Sequence, residues 1–122
     1  MTPLFSRYLP DQISSYDAIE LGTGGFCFLV AELLKELYPK AELRRLTNLE
    51  RNRYYHVFVR LDGQACDIKG FRSVEEMRSD LNETNMVEES VDAQAIQDYF
   101  YPCFSPEQLA AARAVLRKAI FR

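Results

Sequence analysis

The sequence predicts an α+β fold, with a buried helix in the first third of the chain packed on a small antiparallel sheet and later helices covering what remains. Three observations carry that expectation. From Phe26 to Tyr38 almost every residue is apolar until Pro39 ends the run, which reads as a helix buried on most of its circumference. Asp62-Gly63 separates two runs rich in β-branched and aromatic residues, a hairpin signal because a type I′ turn needs positive φ at both central positions. Ser105-Pro106-Glu107-Gln108 is a capping box with proline at the first helical position, followed by Leu109, Ala112, Leu116 and Ala119 or Ile120 on one face; this is the helix expected to close the core.

Taken in order, residues 1–22 carry Pro3, Pro10, paired serines and scattered apolar residues. They read as an irregular arm, with room for one short helical turn, lying over the core. Gly22-Thr23-Gly24-Gly25 breaks the chain ahead of the buried helix. Leu43 and Leu46 among charges suggest a short strand over 42–47, and Asn48 to Arg53 is a polar loop. Tyr54 to Leu61 and Gln64 to Ile68 are the two arms of the hairpin. Ser73-Val74-Glu75-Glu76 is another capping box, opening a helix to about Leu81. A polar segment of Asn, Glu and Thr follows, and Asp92 caps a short helix running to about Tyr99, ahead of Pro102. No repeat or linker argues for more than one domain over 1–122.

Composition excludes several functions. With 48% apolar residues, seven tyrosines and eight phenylalanines in 122 residues, the chain has the material for a core without a metal or disulfide staple. A formal charge of −3 provides no field for a phosphate backbone or an anionic membrane surface, so neither nucleic acid nor membrane is the expected partner. Three dispersed cysteines and a single histidine make no disulfide framework and no zinc site. No cofactor is expected. No signal-peptide pattern follows Met1, and the longest uncharged apolar stretch falls far short of the roughly 20 residues needed to cross a bilayer. A soluble, cytoplasmic protein with reduced thiols is the expectation, and delivery as an effector would leave no mark in the sequence.

Chemistry concentrates at three positions. Cys27 falls in the first turn of the buried helix, where unpaired N–H groups and the helix dipole favour thiolate, the form that attacks a carbonyl carbon. Gly24 and Gly25 would let a substrate backbone approach. The competing reading is a core cysteine between Phe26 and Phe28. If Asp62-Gly63 is a two-residue turn, Leu61 faces Gln64, Phe58 faces Asp67, and His56 faces Lys69. Val57, Val59, Leu61, Cys66 and Ile68 then share one face, and His56, Phe58, Ala65 and Asp67 the other. His56 and Asp67 become diagonal neighbours roughly 7 to 8 Å apart at the backbone, within side-chain reach. Asp67 could then hold one ring nitrogen of His56 and leave the other to act as a base. The simpler alternatives are a structural histidine and a strand-end carboxylate pairing with Lys69.

Gly25-Phe26-Cys27 leading a buried helix, a strand beginning near His56 and a neighbouring strand carrying Asp67 resemble the core of papain-like and transglutaminase-like cysteine enzymes. The layout His56-Val57-Phe58-Val59, Asp62-Gly63, Asp67-Ile68-Lys69-Gly70 also resembles small bacterial and phage papain-fold proteins, including toxin domains that deamidate glutamine. The resemblance covers about residues 22–71. It implies a papain-like core and a hydrolase or acyltransferase of thiol protease, amidase, deamidase or transglutaminase type, with Cys27 as nucleophile, His56 as base and Asp67 as its orienting group. A protein or peptide would be the substrate, and a partner or immunity protein is left open. Papain-like peptidases commonly carry a glutamine shortly before the cysteine; here the nearest is Gln12, fifteen residues upstream, so the Cys27 backbone N–H is the safer oxyanion donor and Gln12 the second candidate.

The remaining residues read more plainly. Cys66 on the apolar face is core, and Cys103 is core or an incidental thiol. Arg44-Arg45 with Arg51 and Arg53 is a candidate basic patch at a strand edge or a solvated face. Tyr99-Phe100-Tyr101 is core or rim. The alternative function is a non-enzymatic binding or regulatory protein that keeps the fold. Redox or metal binding would need paired ligands that the sequence lacks.

Overall fold

In the computed structural model, which describes residues 4–83 and 85–122, helices and an antiparallel sheet alternate along the chain. A short 3₁₀ turn over Leu4–Arg7 is followed by α1 (Pro10–Ser14), α2 (Ala18–Thr23) and α3 (Cys27–Leu37). Strands β1 (Glu42–Thr47), β2 (Tyr54–Leu61), β3 (Gln64–Asp67) and β4 (Gly70–Phe71) come next. The chain then forms α4 (Val74–Leu81), β5 (Val87–Ser90), α5 (Ala93–Phe100), a 3₁₀ turn at Tyr101–Cys103 and α6 (Pro106–Ile120). Residues 1–3 of the expected N-terminal arm and Thr84 of the expected polar segment lie outside the described residues. The fold is α+β, as expected.

The sheet has the order β4-β3-β2-β1-β5 and every pairing is antiparallel. The hairpin has the expected register, with Leu61 opposite Gln64, Arg60 opposite Ala65 and Val59 opposite Cys66. Asp62 (φ 51°) and Gly63 (φ 82°) both take the positive φ that a type I′ turn demands. The face assignment follows from that register. Val57, Val59 and Cys66 are buried in one core, and Phe58 and Ala65 in another on the opposite side of the sheet.

The first core is the larger. It joins the sheet to α1, α2, α3, α5 and α6 through Ile13, Leu21, Phe28, Ile96, Ala112 and Leu116, all fully buried. Aromatic rings knit it together: Phe28 stacks on Phe100 with centroids 4.5 Å apart, and Phe26 lies 4.7 Å from Phe104. The second core is a small cluster of Leu46, Phe58, Ala65 and Met86 covered by Val74 and Met77 of α4.

Four features depart from the expectations. The arm carries two helices: α2 is opened by a capping box in which Asp17 accepts from Glu20 N–H, and at the start of α1 the Gln12 side chain accepts from Leu9 N–H. Two strands were not anticipated. Both are short: β4 has two residues, and β5, Val-Glu-Glu-Ser, has no apolar alternation. The arginine patch is not at a strand edge, because β1 lies between β2 and β5. Arg44 and Arg60 converge on Glu88 (2.7 and 2.6 Å), Arg45 pairs with Glu89, and Arg51 reaches the same Glu89 at 2.9 Å, so β5 neutralises most of the patch. Tyr99-Phe100-Tyr101 divides three ways: Phe100 is core, Tyr99 is exposed, and the Tyr101 hydroxyl donates to the Glu32 carboxylate at 3.1 Å.

Candidate active site

Cys27 is delivered by a tight local arrangement. Phe26 N–H bonds back to Leu21 O at 3.1 Å, and Gly25 takes φ 132°, a value side-chain-bearing residues rarely adopt, so the chain turns sharply from α2 into α3. The N-cap of α3 is Phe26, which provides no side-chain cap; α2, α4, α5 and α6 are all capped by Asp or Ser oxygens. The first turn holding Cys27 therefore offers backbone N–H groups that no side chain of its N-cap occupies. Gly24 and Gly25 both line the cleft beside Cys27. The space that the missing side chain of Gly24 leaves is filled by the Phe5 ring and the Glu20 carbonyl oxygen, each 2.7 Å from where a Cβ would stand.

His56 comes from the start of β2, beside an irregularity in the sheet. Leu46 pairs with His56 but Thr47 pairs with Tyr54, so Tyr55 is an extra residue on β2, a bulge of the kind that re-aims a neighbouring side chain. The ring is 8% exposed and lies nearly parallel to Phe58 at 5.9 Å. Its Nε2 is 3.0 Å from Oδ2 of Asp67, the last residue of β3. With Nε2 engaged, Nδ1 is the ring nitrogen left to exchange a proton.

Cys27 and His56 line one cleft of about 820 Å³, and Asp67 is buried behind the ring, 5% exposed. Burial works against charge on His56, but hydrogen bonding with Asp67 and with Cys27 outweighs it and raises the ring to about 9. Burial also works against charge on Asp67, and hydrogen bonds from His56 and Arg72 overcome it, lowering the carboxyl to about 2. At neutral pH the pair is an imidazolium beside a carboxylate.

The structure brings together the three residues singled out from the sequence and leaves the fourth outside. Gln12 is exposed on α1, its side-chain oxygen accepts from Leu9 N–H at 2.8 Å, and it is not among the residues that line the cleft. The oxyanion role considered for it has no support in this geometry. Asp67 does not pair with the Lys69 ammonium; the Lys69 backbone N–H donates to its Oδ1 at 2.9 Å, and Lys69 Nζ goes to Asp80 at 3.1 Å. Cys66 is buried in the larger core, where burial and the charge of Asp67 push its thiol up. Cys103 lines the same cleft as Cys27.

Sequence reasoning missed Arg72. Its guanidinium donates to both Asp67 oxygens at 2.7 to 3.2 Å and to Asp80 at 2.5 Å. The one sequence signal is Gly70, three residues after Asp67; in the structure it takes φ 97° and turns the chain, so that Arg72 N–H returns to Ala65 O at 3.1 Å. Reading that turn would have put Arg72 beside Ala65, on the face that Asp67 also occupies. The cleft walls are otherwise largely aromatic and apolar, including Tyr54, Tyr99, Phe100, Met77 and Leu81.

Among the described residues, no group of three or more His, Cys, Asp or Glu could hold a metal ion, and no helix is long and apolar enough to cross a membrane. In comparisons with known proteins, no curated protein and no solved structure matches the chain. A family model described as Phage YunG-like protein matches residues 3–101, a span that contains α3, the whole sheet and the Cys27, His56 and Asp67 positions. By the extent of that match, the chain belongs to the Phage YunG-like protein family.

Proposed function

We propose that this protein is a cysteine-dependent acyltransferase or hydrolase of papain-like or transglutaminase-like construction, acting on an amide of a protein or peptide. The observation that carries the reading is the His56 Nε2–Asp67 Oδ2 contact of 3.0 Å behind a cleft that His56 shares with Cys27. In this reading the Cys27 thiolate attacks the carbonyl carbon, and backbone N–H groups of the uncapped first turn of α3 receive the developing oxyanion. His56 gives its proton to the departing nitrogen as the C–N bond breaks, leaving a thioester on Cys27. Neutral His56 then takes a proton from water or an incoming amine, which attacks the thioester and releases Cys27 as thiolate. Asp67 holds the ring through both steps.

Water as acceptor makes the protein a peptidase or glutamine deamidase, and an amine makes it a transglutaminase. The triad is common to all three. The aromatic walls of the cleft favour an amide flanked by apolar groups.

Iodoacetamide labelling near neutral pH, with Cys27→Ala as the reference, tests the proposal. Cys27 is expected to take the label first and fastest, ahead of half-buried Cys103 and buried Cys66. Labelling of Cys103 or Cys66 while Cys27 stays inert in the folded protein would favour a binding protein that keeps the fold without a working site.

A further inference from the structure

Asp67 is held more firmly than a carboxylate that only orients a histidine needs to be. Its Oδ1 accepts from Lys69 N–H at 2.9 Å and from Arg72 Nε at 3.2 Å. Its Oδ2 accepts from Arg72 Nη2 at 2.7 Å and from Nε at 3.0 Å, in addition to the His56 contact. The remaining Arg72 nitrogen, Nη1, donates to Asp80 Oδ2 at 2.5 Å, and Lys69 Nζ secures that same oxygen at 3.1 Å. The arginine is itself shielded, its side chain 12% exposed and that of Asp67 3%. One planar guanidinium joining two carboxylates in this way is a geometry that an ammonium cannot reproduce.

We propose that Arg72 is a positioning residue of the site: its fork fixes the Asp67 carboxylate against His56 Nε2 and takes up part of the negative charge that Asp67 would otherwise direct at the ring. The effect on rate rests on the acyl-transfer reading above; the effect on His56 does not. An unshared carboxylate would stabilise the imidazolium too strongly, whereas the ring has to surrender its Nδ1 proton to the leaving nitrogen. A carboxylate without the fork would also be free to turn about its own side-chain bonds and leave Nε2 unsupported. A purely structural ion pair stapling β3 to α4 would alter stability and leave the behaviour of the ring unchanged.

The groups acting on the ring are Cys27 from α3 and Asp67 from β3, with Arg72 behind Asp67. Lys69, Asp80 and Arg53 bring further charge to the same cleft. Tyr54, Tyr55, Tyr99 and Cys103 complete its titratable walls. Because His56 is the chain's single histidine, its ring signals can be followed in the intact protein by NMR without assignment ambiguity.

The test compares wild type with Arg72→Gln and Arg72→Lys. In Arg72→Gln the titration midpoint of His56 is expected to move upward by about one pH unit, because a nearby positive charge is gone. In Arg72→Lys the charge stays and the fork is lost. The midpoint should then hold, while the Nε2–H proton exchanges with solvent faster and Cys27 alkylation becomes slower, each by roughly tenfold. An unchanged midpoint in folded Arg72→Gln overturns the charge-sharing part, and wild-type Nε2–H exchange in Arg72→Lys overturns the positioning part. Should Arg72→Gln fail to fold, Arg72→Met, which keeps the aliphatic stem without the charge, carries the midpoint test, and Arg72→Lys judges positioning. If wild-type Cys27 is inert to iodoacetamide, the acyl-transfer reading fails, and the His56 midpoint and proton exchange still judge Arg72.

Discussion

Asp67 is the residue on which the site depends most, because its two oxygens face an imidazole, a guanidinium and a backbone N–H while 5% of its surface reaches solvent. Replacing it by alanine would leave the shielded Arg72 guanidinium with the exposed Asp80 as its remaining carboxylate partner and the buried His56 ring without its acceptor. Removing one partner of a buried ion pair typically costs about 3 to 5 kcal/mol. Asp67→Ala is therefore expected to lose stability on that scale in urea unfolding, far more than removal of an exposed carboxylate would. His56 and Asp67 could be placed together from the sequence because strand alternation and a two-residue turn fix which side chains share a face. Arg72 could not be placed with the same ease, since the strand that carries it past Asp67 has two residues and no periodicity to read.

Among the elements, α6 shows how a cap can also hold a distant segment. Ser105 accepts from Gln108 N–H at 3.1 Å, and Gln108 Oε1 accepts from Ser105 N–H at 2.8 Å, closing the capping box. The amide nitrogen of the same Gln108 donates to Ser6 O at 2.9 Å and Tyr8 O at 2.8 Å, tying down the N-terminal turn whose Phe5 ring stacks on Phe26. Gln108→Glu keeps the cap acceptor and sets a carboxylate oxygen against two carbonyl oxygens. The expected outcome is an intact α6, a loss of about 1 to 3 kcal/mol, and faster proteolysis after Arg7; unaltered proteolysis would show that the arm does not depend on Gln108. The capping box could be read from four consecutive residues. Its second use could not, because it joins positions about a hundred residues apart.

For the whole molecule, the charge pattern predicts how stability follows pH. His56 is raised from 6.5 to about 9, burial opposing and its hydrogen bonds to Asp67 and Cys27 prevailing, so its contribution is complete below pH 6.5 and is lost as pH rises through 9. Asp67 is lowered from 3.8 to about 2, and Glu88 from 4.5 to about 2, the latter through hydrogen bonds from Arg60 and Arg44. Those contributions are complete above the ordinary carboxylate values and are lost as pH falls towards 2. His56 and Asp67 describe one pair from its two ends and count once. Thermal unfolding followed by circular dichroism should give the highest Tm between about pH 5 and 6.5, with a fall on each side. His56→Gln should flatten the alkaline side.

Local chemistry in the sequence was enough to determine the buried helix headed by Cys27, the hairpin with its turn and register, and the caps of α4, α5 and α6. Each of these follows from residues within a turn or two of one another. The tertiary structure alone decided that β5 would neutralise the Arg44-Arg45 patch, that Phe5 would fill the space beside Gly24, and that Gln12 would lie outside the cleft. Those outcomes depend on which charges and rings meet across long stretches of chain, and neither periodicity nor propensity carries that information, because both describe a residue's near neighbours along the backbone.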